Sequence, residues 1–148
     1  VMEKRVDRLK SFDIPTEVRI CSAHRTPAVA EQLAKNAAAE GFGVIIAAAG
    51  KAAHLGGVLA AYTTLPVIGV PMATSVMGGM DSLLSIVQMP KGIPVATVAI
   101  DGADNAAILA AQMIALSDDA LAQKLAQFKA DMAAEVTAKD EKVRAQFA

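Results

Sequence analysis

Three short apolar runs constrain this chain more than any other feature: Val44 to Ala49, Pro66 to Val70 and Ile93 to Ile100. Each is too brief for a helix and too uniformly apolar for a strand with one face in water. A strand covered on both faces reads this way, which is the condition of a parallel sheet between helical layers. Helical stretches follow each run: Lys51 to Tyr62, Asp81 to Val87 and the alanine-rich Ala103 to Leu116. That alternation predicts an α/β sandwich with a parallel sheet.

The segment before the first run extends the pattern. Met2, Val6 and Leu9 predict an amphipathic helix, which Asp13-Ile14-Pro15 ends because the residue before proline avoids helical dihedrals. Glu17 to Cys21 alternates as a strand does and is expected to be a fourth strand. Thr26 as N-cap and Pro27 at the first helical position open a helix that runs to about Glu40 and stops at Gly41. Ser117 is the expected cap of a last helix, where Leu121, Leu125, Phe128, Met132 and Val136 repeat at helical spacing. The first helix has no strand before it, so the first strand of the sheet is expected to be missing from this chain.

A length of 148 residues suits one domain with a real core. Residues 1–148 are expected to form a single catalytic domain, N-terminally incomplete. Its segment from about 117 to 148 is expected to be a helix packing on the domain or on a neighbouring subunit. The formal charge of −1 argues against nucleic acid or an anionic membrane as partner. Mean hydropathy is +0.41, yet no apolar run approaches the roughly 18 residues of a membrane span. Burial in an oligomer accounts for that excess. A single cysteine, Cys21, and no visible signal peptide point to the cytoplasm.

Ligands of parallel α/β sheets lie beyond the carboxyl ends of the strands. That rule selects Ser22 to Arg25, Ala49 to His54 and the loop from Met72 to Gly79. Both histidines of the chain, His24 and His54, fall in those segments. Histidine can give or take a proton near neutrality. No third ligand has a recognisable spacing, so a metal site is not expected. Arg25 follows His24 just before a helix N-terminus, where the helix dipole disfavours a cation unless an anion sits between them. Its guanidinium suits bidentate phosphate binding, Ser22 adds a hydroxyl, and Gly50 permits close backbone approach to a ligand.

These segments, taken in order, resemble one family. Ser22-Ala23-His24-Arg25-Thr26-Pro27, Ala52-Ala53-His54-Leu55, Leu65-Pro66-Val67-Ile68-Gly69-Val70-Pro71 and Asp81-Ser82-Leu83-Leu84-Ser85-Ile86-Val87-Gln88-Met89-Pro90 match its motifs. Gly92 to Ile100 and Asn105-Ala106-Ala107 complete the set. The chain is similar to the class I N5-carboxyaminoimidazole ribonucleotide mutases of purine biosynthesis, the PurE family. The class II relatives, which use carbon dioxide directly, carry different residues around the second histidine.

The resemblance implies a flavodoxin-like three-layer α/β/α sandwich, a homo-octamer, a small nucleotide substrate and no metal or organic cofactor. It implies decarboxylation of N5-carboxyaminoimidazole ribonucleotide and recarboxylation at carbon 4 within one site, with His24 as general acid and base. Ser22, Ala23 and Arg25 would hold the ribose phosphate, and Ala49, Gly50, Lys51, His54 and Leu55 would line the base and carboxylate pocket. The chain departs from the pattern in four places. The family's opening strand with its Gly-Ser-x-Ser-Asp loop is absent, Lys51 and Asp101 stand where glycines are usual, and Gly56 replaces a proline. Two other readings use the same pocket: a direct aminoimidazole ribonucleotide carboxylase, and an impaired oligomeric nucleotide binder.

Overall fold

The computed structural model of the protein describes residues 3–147. Its elements are α1 (Glu3–Ser11), α2 (Pro27–Ala37), β1 (Ile45–Ala49), α3 (Leu55–Tyr62), β2 (Val67–Pro71), α4 (Met80–Val87), β3 (Ala96–Thr97), α5 (Ala103–Ala115) and α6 (Asp119–Phe147). The three strands are parallel, in the order β1-β2-β3, with Ile45 opposite Val67 and Ile68 opposite Ala96. Helices cover both faces, giving the three layers of a flavodoxin-like sandwich. Met2, the first residue of the expected α1 stripe, lies outside the described residues. The next two hold: Leu9 is buried and Val6 half-buried.

Strand alternation assigns each side chain to a layer. Ile68 and Val70 of β2 pack with Leu9, Ala103, Ala106, Ala107 and Ala110, so α1 and α5 cover that face. Ala47 points the other way, into a cluster with Ala30, Ala34 and Leu59 of α2 and α3. Alanine at these helical positions lets backbones approach closely. Gly69 shows how tight the second face is: a Cβ there would stand 2.3 Å from Cγ2 of Ile86 on α4. Only glycine admits that helix.

The expected fourth strand, Glu17 to Cys21, is not one. Residues 14–22 form no ladder, and Ile20 is 98% exposed. Ile14 packs with the α5 layer and Cys21 with the α2–α3 layer, so this stretch crosses from one face of the sheet to the other. Alternation gave it strand character, but a strand exists only by pairing, and no described strand lies beside it. Ile45 donates to the Pro66 carbonyl and Ala49 accepts from Met72. The peptide groups of Ile46 and Ala48 therefore face the opposite, unpaired edge of β1.

Three other expectations shift. β3 spans two residues instead of Ile93 to Ile100, since Pro94 has no N–H to donate and Ile93 turns back to the Pro90 carbonyl. Asp118 rather than Ser117 caps α6, accepting from the Leu121 N–H at 3.0 Å, while the Ser117 hydroxyl turns to the Ile114 carbonyl. Thr26 occupies the N-cap position of α2 without capping through its side chain.

Only the first turns of α6 pack on the domain. Leu121, Leu125 and Phe128 meet Phe12, Ala111 and Ile114, with Phe12 and Phe128 edge to face at 5.7 Å. Lys124 hydrogen-bonds the Asp13 carboxylate and, by that bond and its charge, holds the carboxyl below its ordinary range. Further along, Met132, Val136, Val143 and Phe147 are exposed. Among the described residues, no helix is long and apolar enough to cross a membrane.

Candidate functional site

The carboxyl ends of the strands and the turn before α2 meet at one end of the sheet. The turn is built by Ser22 and Thr26. The Thr26 hydroxyl accepts from the Ser22 N–H at 2.8 Å and donates to the Ser22 carbonyl at 3.2 Å. The Ser22 hydroxyl accepts from the Arg25 N–H at 3.1 Å. Thr26 is thus spent on closing the turn, which is why it does not cap the helix. Ser22 keeps its own hydroxyl proton to donate. Ala23 sits half-buried inside the turn, while His24 and Arg25 project from it, both exposed.

After β1 the chain passes Gly50 and Lys51 and reaches His54 immediately before α3. Lys51 adopts the left-handed conformation, φ 60°. Ser82 of α4 holds it there: the Lys51 N–H donates to Ser82 Oγ at 2.9 Å, while Ser85 Oγ, 3.3 Å from the Lys51 carbonyl, gives its proton to the Asp81 carbonyl at 2.6 Å. Ser82 is fully buried, so this anchor lies under the loop. Ala53 is buried as well, and the His54 carbonyl accepts from Val58 N–H in the first turn of α3.

These two supports bring the histidines together. His24 Nε2 lies 2.8 Å from His54 Nδ1, with the rings at 73°. Thirty residues separate them in sequence. The other expected site residues lie on or next to the segment between β1 and α3. Ala49 ends β1, and a Cβ on Gly50 would lie 3.5 Å from Met72 Cβ, so the loop after β2 passes alongside. Leu55 is half-buried against the α2–α3 cluster.

The loop after β2 is braced in turn. The Thr74 hydroxyl donates to Asp81 Oδ1 at 2.8 Å and accepts from the Gly79 N–H at 3.3 Å. Asp101, also left-handed at φ 56°, accepts the Ala73 N–H at 3.0 Å. Sequence reasoning gave Ser82, Ser85 and Thr74 no role. A signal existed for Ser82: it stands four residues before Ile86 on one helical face, which puts a hydroxyl where the pattern wants an apolar side chain. The pattern does not say what it would bond.

No carboxylate among the described residues pairs with Arg25 or Lys51. Both cations are exposed, Arg25 directly after His24 and Lys51 three residues before His54, and the α2 N-terminus adds its dipole. Such a mouth suits an anionic ligand and a proton transfer beside it. No three His, Cys, Asp or Glu side chains gather as a metal site among the described residues.

Comparisons with known proteins place the chain in a family. The family model described as AIR carboxylase matches residues 1–135. A curated N5-carboxyaminoimidazole ribonucleotide mutase of Methanocaldococcus jannaschii is 52% identical over 147 residues, covering 99% of this chain and 91% of that protein. Another curated protein of that name, from Saccharolobus solfataricus, is 54% identical over 131 residues, covering 88% of this chain and 83% of that one. A solved structure, Treponema denticola PurE, superposes with a TM-score of 0.86 at 29% identity, over 95% of this chain and 87% of its own.

Proposed function

This chain belongs to the AIR carboxylase family, and from that we infer an isomerase of purine biosynthesis that converts N5-carboxyaminoimidazole ribonucleotide to 4-carboxy-5-aminoimidazole ribonucleotide. One observation carries the chemistry: both histidines of the chain, 2.8 Å apart, stand at the ligand edge of a sheet.

His24 is the acid and base of this reading. It gives a proton to the carbamate nitrogen as the nitrogen–carbon bond breaks, and carbon dioxide leaves. Carbon 4 of the imidazole then bonds the trapped carbon dioxide and loses its own proton to His24. The proton count returns to its start, as an isomerisation requires. Holding the gas beside its acceptor makes the second step unimolecular. The Arg25 fork and the Ser22 hydroxyl hold the phosphate, with Ala23 at the floor of the turn. Ala49, Gly50, Lys51 and Leu55 line the side facing the base and carboxylate, and His54 stands at its edge against His24.

The test is a product assay on the purified protein. Formation of 4-carboxy-5-aminoimidazole ribonucleotide from N5-carboxyaminoimidazole ribonucleotide, without added bicarbonate, is the expected result. Product formed only from aminoimidazole ribonucleotide with bicarbonate would make the chain a direct carboxylase. Binding of the nucleotide without turnover would make it an impaired binder.

The working unit of this reading is a cytoplasmic homo-octamer. Met77, Met80, Leu84 and Val87 are exposed at heptad-like spacing on and before α4, and the outer half of α6 carries its own exposed apolar residues. Both surfaces are more apolar than a monomer needs, and α6 packs on a neighbouring copy in this assembly. Light scattering should give eight times 15.2 kDa, and a stable monomer at micromolar concentration would refute it.

A further inference from the structure

We propose that His54 is a positioning residue for His24: its Nδ1 accepts the Nε2–H of His24 and so fixes which nitrogen of His24 carries the working proton. This rests on the mutase reading above.

The geometry supports a fixed pair rather than a chance contact. The nitrogens are 2.8 Å apart, a full hydrogen bond. Each ring hangs from a braced backbone. The turn carrying His24 is closed by four bonds between Ser22, Arg25 and Thr26. His54 follows the buried Ala53 and opens α3, whose Val58 N–H it accepts.

The direction of the bond follows from the chemistry. His24 must give a proton and later take one back without changing tautomer between the two half-reactions. If Nε2–H donates to His54 throughout, Nε2 never exchanges. The nitrogen that works is then Nδ1, which has no partner among the described residues. His24 alternates between imidazolium, with both nitrogens protonated, and neutral imidazole, with only Nε2 protonated. His54 stays neutral, protonated on Nε2 and accepting at Nδ1. Which nitrogen of a histidine is protonated is set by the bond its other nitrogen makes.

Replacement at residue 54 separates this role from direct substrate contact. In His54→Asn the amide oxygen takes the place of Nδ1 and can still accept from His24. In His54→Gln the amide reaches the place of Nε2 instead, and in His54→Ala neither atom remains. The expected result is a kcat loss of at least about tenfold for Ala and Gln, little change in KM, and recovery of most of the rate in Asn. Rescue by Gln with a raised KM in Asn would make His54 a substrate contact and overturn the proposal. An unchanged kcat in His54→Ala would overturn it too.

A second measurement does not depend on turnover. With two histidines in the chain, 15N-histidine labelling gives four ring nitrogens to resolve by long-range proton–nitrogen NMR. The expected spectrum holds His24 in the Nε2–H form in the wild type and in His54→Asn, and shows mixed tautomers in His54→Ala. Identical His24 signals in all three proteins would refute the positioning role. A wild type that is inactive as a mutase yet shows the locked tautomer would overturn the functional reading while leaving the pair intact.

Discussion

Replacing Lys51 by glycine should make the protein more stable, and the structure says by how much. Lys51 sits at φ 60°, where the Cβ of an L-residue crowds its own carbonyl. That conformation costs about 1–2 kcal/mol per non-glycine residue. Glycine removes the cost but brings a more mobile unfolded chain, worth about 0.5–1 kcal/mol in the opposite sense. The net gain is about 0–1.5 kcal/mol, centred on about 0.75 kcal/mol. In a chain of this size the central value corresponds to a rise of about 2–3 °C in Tm. The anchoring bond does not change, because Ser82 holds the backbone N–H of residue 51 and not its side chain.

Lys51→Ala is the control. It removes the ammonium and the four-carbon stem while keeping Cβ, so it keeps the strain. Differential scanning calorimetry should rank glycine above both lysine and alanine, with those two within about 0.5 kcal/mol of each other, as exposed substitutions usually are. Glycine no more stable than alanine would refute the strain argument. The same pair tests the pocket role of the side chain. If the Lys51 ammonium meets the substrate carboxylate, both variants lose at least about tenfold in kcat/KM, or about 1.4 kcal/mol. If only glycine changes the kinetics, the backbone and not the charge is responsible.

Three further outcomes follow from the site. His24→Asn should lower turnover by about a hundred- to ten-thousand-fold while the nucleotide still binds, and a near wild-type rate would remove His24 from the mechanism. Arg25→Ala should weaken nucleotide binding by about 1.5–3 kcal/mol, with Arg25→Lys recovering part of it; equal affinities by calorimetry would rule out Arg25 as the phosphate anchor. Ser82→Ala removes the acceptor of the Lys51 N–H from a fully buried position. It should cost about 1–3 kcal/mol in denaturant unfolding and raise KM by loosening the loop, and unchanged stability would mean that Ser82 does not carry the loop.

The sequence made the layers readable because burial on both faces leaves a plain mark: Ile45 to Ala49 and Val67 to Val70 are apolar without interruption. Strand direction alone also placed His54 at the carboxyl edge of the sheet, whereas His24 was assigned there by a strand, Glu17 to Cys21, that does not form, and it meets His54 from the turn before α2. Pairing is another matter. Glu17 to Cys21 has the alternation of a strand, and nothing in its residues reveals whether a neighbour exists to complete it. Thr26 does hold the N-cap position of α2, but side-chain capping is decided by partners the residue type does not reveal. Thr26 and Ser117 are good caps by type, but each hydroxyl finds a nearer partner in its own turn, on Ser22 and on Ile114.

The two glycine departures connect the sequence to the site most directly. Lys51 and Asp101 stand where the resemblance leads one to expect glycine, and both have positive φ, 60° and 56°. The loops after β1 and after β3 each need a left-handed residue, and the chain supplies it with side chains that carry strain. The two positions differ in what they gain. Asp101 uses its carboxylate to accept the Ala73 N–H, a local bond that eases the left-handed conformation for aspartate. Lys51 has no such bond from its side chain among the described residues and relies on Ser82 of α4 for its geometry. Asp101→Gly should therefore gain less stability than Lys51→Gly, because the relief of strain is offset by loss of the Ala73 bond, worth about 0.5–1.5 kcal/mol. Chemical denaturation of the two single variants measures the difference. An equal or larger gain at residue 101 would show that the Asp101 carboxylate contributes nothing to the loop it holds.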